Sequence, residues 1–132
     1  MNRCCRSCPE YSGRDMNIGI LGGDGFVAKN LADTYCQNAF KVTAYGRNSV
    51  DLTCPATLRN IANDHDVIVN CAGYMGGDSS TIWGVNLQGV IELCKELNSR
   101  MAYPYLIQLS TGGVYGYSES VLTIAHKESP DG

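Results

Sequence analysis

Gly22, Gly23 and Gly25 form a cluster whose residue types and spacing could do chemistry. They follow an apolar run, Ile18, Ile20 and Leu21. They precede a segment whose apolar residues return at helical spacing: Val27, Ala28, Leu31, Ala32, Tyr35 and Cys36. Strand, glycine turn and helix in that order can hold a pyrophosphate through the backbone alone. One glycine makes the tight turn and one lets the chain approach the phosphates. A small residue at the third position, here Ala28, lets helix and strand pack closely. The helix start then offers free N–H groups and the positive end of its dipole. A glycine triplet alone is a weak signal, so its meaning depends on the elements around it.

Those elements alternate. Lys41–Tyr45 reads as a second strand followed by Gly46, and Val50–Leu52 as a short third one. Pro55 suits the first turn of a helix, with Ala56, Leu58, Ile61 and Ala62 giving it an apolar face through about Asn63. Asp66–Ala72 is the clearest strand, because consecutive Val67, Ile68 and Val69 predict burial on both faces and hence a parallel sheet. Ile82, Val85, Val90, Leu93, Cys94 and Leu97 predict one long amphipathic helix from about Ser80 to Arg100. Tyr105–Leu109 is a further strand, running into Ser110-Thr-Gly-Gly113. Strands alternating with helices imply right-handed crossovers and an α/β, doubly wound parallel sheet of the Rossmann type, in three layers. Ligands of such sheets lie at the carboxyl ends of the strands. Here those ends carry Gly22–Gly25, Gly46-Arg47, Asn70–Gly73 and Ser110–Gly113, all small or polar, which supports a dinucleotide site.

Composition narrows the class. The 132 residues suit one domain, read as 16–132 behind a polar, disordered leader, Met1–Asp15. Net charge is −3 with no basic stripe interleaved with aromatics, which argues against nucleic-acid binding. No apolar run approaches the ~20 residues of a membrane span. Of the seven cysteines, Cys36, Cys71 and Cys94 fall in apolar periodic segments and are expected as small buried hydrophobes. Cys54 sits beside Pro55. Cys4, Cys5 and Cys8 cluster in the leader without a second ligand group, and neither His65 nor His126 has a partner at ligand spacing. No metal site is therefore expected, and the chain reads as a reduced cytoplasmic protein.

Four motifs occur in a recognisable order: Gly22-Gly-Asp-Gly-Phe-Val-Ala28, Asn70-Cys-Ala-Gly73, Val85-Asn86 and Leu109-Ser-Thr-Gly-Gly-Val-Tyr-Gly116. Over about Met16–Gly116 the chain resembles the extended short-chain dehydrogenases/reductases. Within them it resembles the NAD-dependent epimerase/dehydratase enzymes of nucleotide sugars, including the dehydrorhamnose-reductase-like branch. The resemblance implies strand order 3-2-1-4-5 and a nicotinamide dinucleotide, NAD or NADP, as cofactor. It implies that Gly22, Gly23 and Gly25 with Ala28 seat the pyrophosphate, and that Phe26 and Val27 begin the helix. Arg47 stands where the family reads the adenosine ribose. Members that prefer NAD usually carry an acidic residue there, so Gly46-Arg47-Asn48 points to NADP, a guanidinium being a good partner for a 2′-phosphate. Asp51-Leu52 resembles the pair at the adenine edge, although Asp51 could simply cap a turn. Ala72 and Gly73 would line the cofactor through their backbone, with Cys71 in the same site. Asn86 matches a helix asparagine that helps to hold the active-site water network, although a mid-helix asparagine could equally be only exposed. Thr111 matches the hydroxyl that hydrogen-bonds the reacting oxygen, and Tyr115 belongs to its motif as a structural residue.

The family's proton donor is a tyrosine followed four positions later by a lysine, which lowers the phenol pKa. No Tyr-x-x-x-Lys occurs in this chain. Glu128-Ser-Pro130 resembles the approach to that motif, two residues before Gly132. Thr123-Ile-Ala-His-Lys127 has the spacing, but an alkanol cannot replace a phenol, and the Ser-Pro-Asp-Gly after it would break the helix. The expectation is the cofactor-binding part of an epimerase, dehydratase or reductase, with Thr111 and Asn86 as its catalytic candidates and a nucleotide sugar as substrate. Two alternatives stand beside it: a non-catalytic NADP(H) sensor, and an enzyme half completed by another chain. A strand left at the sheet edge with uncovered apolar surface also makes homodimerisation an expectation.

Overall fold

The computed structural model describes residues 16–38, 40–59, 61–99 and 104–110. The leader with Cys4, Cys5 and Cys8, and everything from Thr111 onward, lie outside the described residues; so do the expectations placed on Tyr115, Thr123–Lys127 and Glu128–Pro130.

Among the described residues, four strands form one parallel sheet: β1 (Asn17–Leu21), β2 (Lys41–Tyr45), β3 (Val67–Asn70) and β4 (Tyr105–Gln108), in the order β2-β1-β3-β4. Register explains the two-sided core. Ile20 pairs with Val69 and Gly19 with Ile68, so alternate residues of β1 and β3 face opposite layers. On one side Ile18, Ile20 and Val69 pack with Ala28 of α1 (Phe26–Gln37). On the other, Leu21 and Ile68 pack with Leu52, Leu58, Ile61, Ala62, Leu93 and Leu97. Ile20, Ile68 and Leu93 are fully buried, and each such side chain contributes about 1.5–3 kcal/mol. The consecutive branched residues of β3 thus divide between two cores, as expected of a parallel strand.

Three elements differ from expectation. Val50–Leu52 forms no strand, so among the described residues β2 is the edge strand where a further one was expected. There Asp51 closes a local turn: its Oδ1 accepts from the backbone N–H of Thr53 at 2.8 Å, and its own N–H donates to Thr57 Oγ1 at 2.9 Å. The helix opened by Pro55 is a single turn, α2 (Pro55–Leu58), although Ile61 and Ala62 are buried beyond it. The long amphipathic segment is interrupted. It runs as α3 (Ser79–Trp83), a π-helical turn (Gly84–Gln88) and α4 (Gly89–Asn98). α3 begins at Asp78, whose Oδ1 accepts from the Ser80 N–H at 2.9 Å. The hydroxyls of Ser80 and Thr81 hold that carboxyl down at about 2. Gly89 sits against Leu52, where a Cβ would come within 2.6 Å of the leucine Cβ.

Cysteine placement corrects one expectation. Cys71 and Cys94 are half-buried, but Cys36 is exposed, because the last turn of α1 carries that position to solvent. Among the described residues no helix is long and apolar enough to cross a membrane, and no group of His, Cys, Asp and Glu could hold a metal ion.

Candidate functional site

The carboxyl ends of β1, β2 and β3 converge on one cavity of about 220 Å³. Its walls include Gly22, Gly25, Arg47, Asp51, Leu52, Cys71, Ala72 and Gly73, eight of the residues singled out in the sequence, together with Asp24 and Tyr74. A second cavity of about 550 Å³ opens beyond the same Cys71–Tyr74 wall, bounded by Asn86, Gln108 and Ser110. The two spaces therefore share a wall, as a ligand with two heads would require.

The glycine loop depends on two different constraints. Gly22 has φ +75°, and a Cβ on it would come within 2.8 Å of Ala72 Cα and N. Only glycine fits there, because the backbone is left-handed and because the end of β3 is in contact. Gly23 takes no part in the cavity wall. Its N–H donates to Tyr45 O at 2.8 Å, tying the loop to β2. Gly25 is the N-cap of α1 in ordinary extended geometry (φ −78°), and no side chain caps the helix. The first turn of α1 holds no acidic residue, so no side chain answers the positive end of a dipole that begins at the cavity-lining Gly25. Phe26 and Val27 begin that helix as expected; both are exposed, and neither lines either of these two cavities.

At the end of β2 the charges pair. Arg47 Nε lies 3.4 Å from Asp51 Oδ2, with the guanidinium two-thirds exposed. Hydrogen bonds from the Thr53 hydroxyl and N–H hold the Asp51 carboxyl below the usual carboxylate range, and Arg47 adds to this. Asp51 therefore both closes a turn and lines the cavity. Asp24, from the glycine loop, accepts the Arg47 backbone N–H at 3.2 Å.

On the β3 side, Cys71 lines both cavities, and burial pushes its thiol pKa up, which favours the neutral form. Asn70, fully buried, was expected only as part of a motif, yet it organises this wall. Its Oδ1 accepts from the Ala72 N–H at 3.1 Å and its Nδ2 donates to Gln108 Oε1 at 2.8 Å, joining β3 to β4. Asn86, in the π-helical turn, clasps Tyr74: Oδ1 accepts from its N–H and Nδ2 donates to its C=O, both at 2.8 Å. The clasp sets the loop that both cavities share. Thr111 lies outside the described residues; its neighbour Ser110 lines the second cavity. Asp24, Asn70 and Gln108 were not among the sequence candidates. A polar residue closing a run of buried β-branched ones, as Asn70 does, is the signal that could have found one of them.

On the face of the sheet that carries Leu21, the His65 ring covers Gly19, where a Cβ would collide with it. Tyr45 Oη and His65 Nε2 are 3.3 Å apart, and among the described residues the buried Nδ1 has no hydrogen-bond partner. Burial pushes the His65 pKa down, against the opposing effect of Asp64 and Asp66, and pushes Tyr45 up.

Comparison with known proteins agrees with this fold. A sequence profile of the RmlD substrate-binding domain matches residues 16–130. No curated protein sequence matches the chain. Among solved structures it is similar to Helicobacter pylori ADP-L-glycero-D-manno-heptose-6-epimerase. Identity is 23%, the TM-score is 0.76, and the match covers 89% of this chain and 46% of that one. It is similar to a Bacillus anthracis dTDP-4-dehydrorhamnose reductase in complex with NADP (16% identity, TM-score 0.62, 72% of this chain and 36% of that one). It is also similar to a short-chain dehydrogenase/reductase superfamily protein from Agrobacterium tumefaciens with bound NAD (16%, 0.75, 88% and 40%). These likenesses are of fold, and the chain spans less than half the length of each of the three.

Proposed function

The chain belongs to the RmlD substrate-binding domain family, and from that premise we propose that it binds a nicotinamide dinucleotide as the cofactor part of an epimerase or reductase of nucleotide sugars. The observation that carries this reading is the glycine loop. Gly22 is held left-handed against Ala72, and the uncapped start of α1 opens beside a cavity ringed by strand ends.

These residues fit the ligand. The α1 N–H groups would meet the pyrophosphate, with Gly25 keeping a side chain out of its path. The adenosine half would lie between Arg47, Asp51 and Leu52, and the other half along Cys71–Tyr74 toward the second cavity. When bound, the nicotinamide supplies a hydride acceptor or donor. Within that frame Asn86 orients the wall through Tyr74, and the Thr111 hydroxyl would hold the reacting oxygen of the sugar. The chain carries no Tyr-x-x-x-Lys, so the reading assigns it cofactor binding and oxygen orientation, not proton transfer.

The test is a calorimetric titration of the chain and of Gly25→Val with NAD+ and NADP+. Gly25 has an ordinary φ, so the variant is expected to fold, while its side chain fills the pyrophosphate path. Binding by the parent and at least a hundredfold weaker binding by the variant is the expected result. A folded Gly25→Val that binds as the parent does ends the assignment.

A further inference from the structure

An NAD-type ribose is read by a carboxylate that accepts hydrogen bonds from its hydroxyls, ordinarily from just past the second strand. Gly46-Arg47-Asn48 offers none. The structure nevertheless puts a carboxylate at that place, borrowed from the glycine loop. Asp24 reaches across to the end of β2 and accepts the Arg47 N–H through Oδ2 at 3.2 Å. It lies so close over Gly46 that a Cβ there would come within 2.5 Å of Oδ2 and 2.8 Å of Oδ1. The missing side chain of Gly46 is the space that the Asp24 carboxylate occupies. Among the described residues, Oδ1 makes no hydrogen bond and stands available to a ligand in the cavity that Asp24 lines.

We propose that Asp24 is the ribose-reading residue of this site and that it selects NAD over NADP. The inference rests on the dinucleotide reading above and deepens it. A ribose diol donates to Oδ1, whereas a 2′-phosphate brings negative charge against the same oxygen. Arg47 does not cancel this. Its Nε already faces Asp51 Oδ2 at 3.4 Å, so the wall holds two carboxylates and one guanidinium, a net negative surface. The guanidinium that in the sequence points to NADP is, in the fold, shared with an acid.

Titration of the chain with NAD+ and with NADP+ at low and high salt tests this. NAD+ is expected to bind about tenfold tighter, and the ratio should narrow at high salt, because repulsion between exposed charges is screened. Asp24→Asn keeps the shape and removes the charge, and should move the ratio about tenfold toward NADP+. Gly46→Ala puts a methyl group where the carboxylate sits and should move it the same way, which covers the case of an Asp24 variant that fails to fold. Tighter or equal binding of NADP+ by the parent overturns the proposal, as does a ratio indifferent to both substitutions. Binding of neither dinucleotide overturns the underlying reading instead, so the two failures are distinguishable.

Discussion

Gly22→Ala is the substitution for which the structure gives the most definite number. At φ +75° an alanine occupies the left-handed region, at a cost of about 1–2 kcal/mol. The methyl group also meets Ala72 Cα and N at 2.8 Å and the Cys71 carbonyl carbon at 3.0 Å, where ordinary contact is 3.4–4 Å. Its neighbours are backbone atoms, and they cannot easily retreat. Ala72 is held from behind by Asn70 Oδ1 at 3.1 Å, and the Cys71 N–H by Leu21 O at 3.1 Å. Overpacking of that kind costs about 1–3 kcal/mol more. The sum is about 2–5 kcal/mol, a large part of the ~5–15 kcal/mol that a domain has. A urea melt followed by circular dichroism should then show the midpoint falling by about 0.7 M or more, given slopes of ~1–3 kcal/mol per M. Gly25→Ala is the control. Its φ is −78°, its only close neighbour would be Gly22 O at 3.1 Å, and its midpoint should stay near the parent's. If Gly22→Ala melts with the parent, or if the two variants lose the same stability, the left-handed contact between loop and strand is not what shapes the site.

Two further outcomes follow from polar contacts. Asn86→Ala removes both hydrogen bonds to Tyr74, each worth about 0.5–1.5 kcal/mol. Hydrogen exchange at the Tyr74 amide should quicken, and unchanged protection would mean that the clasp does not hold the loop. For His65 the folded pKa lies below the unfolded value of 6.5, because burial disfavours the charged ring. The unfolded chain therefore binds more protons between those two values. Stability is full above about 6.5 and declines as pH falls toward the folded pKa. His65→Gln should flatten that part of a pH series of urea midpoints, and an unaltered slope would remove His65 as its source.

How much of this was legible in the sequence depends on which force placed each residue. β2 has the bounds read from Lys41–Tyr45, and β3 lies inside Asp66–Ala72, because runs of β-forming residues that lead into a glycine leave the chain few alternatives. The ring of small and polar strand ends was readable for the same reason. Val50–Leu52 misled because β-propensity ignores a competing local bond. The Asp51 carboxylate and Thr57 hydroxyl satisfy backbone groups that a strand ladder would otherwise use. The π-helical turn was invisible because residues on both sides of Asn86 keep helical spacing, and the turn itself appears only with the Tyr74 clasp and the Gly89–Leu52 contact. Asp24 was hidden in another way. Between two glycines it looks like a spacer, and its meaning comes from Gly46, which lies 22 positions later in the sequence.

The same contacts explain how loops so rich in glycine can hold a site. Each loop at the carboxyl edge is tied to its neighbour by a polar bond that needs no ligand. Gly23 N–H to Tyr45 O and Asp24 to Arg47 N–H join β1 to β2. The Cys71 N–H to Leu21 O bond joins β1 to β3, and Asn70 with Gln108 joins β3 to β4. Asn86 fastens the remaining loop to the helix through Tyr74. Backbone that is already fixed loses little entropy when a ligand arrives, so more of the contact energy appears as affinity. Loosening Asn70 or Asn86 should therefore weaken a ligand that neither side chain need touch. Such a loss differs from that caused by Gly25→Val, in which the added side chain stands in the ligand's own path.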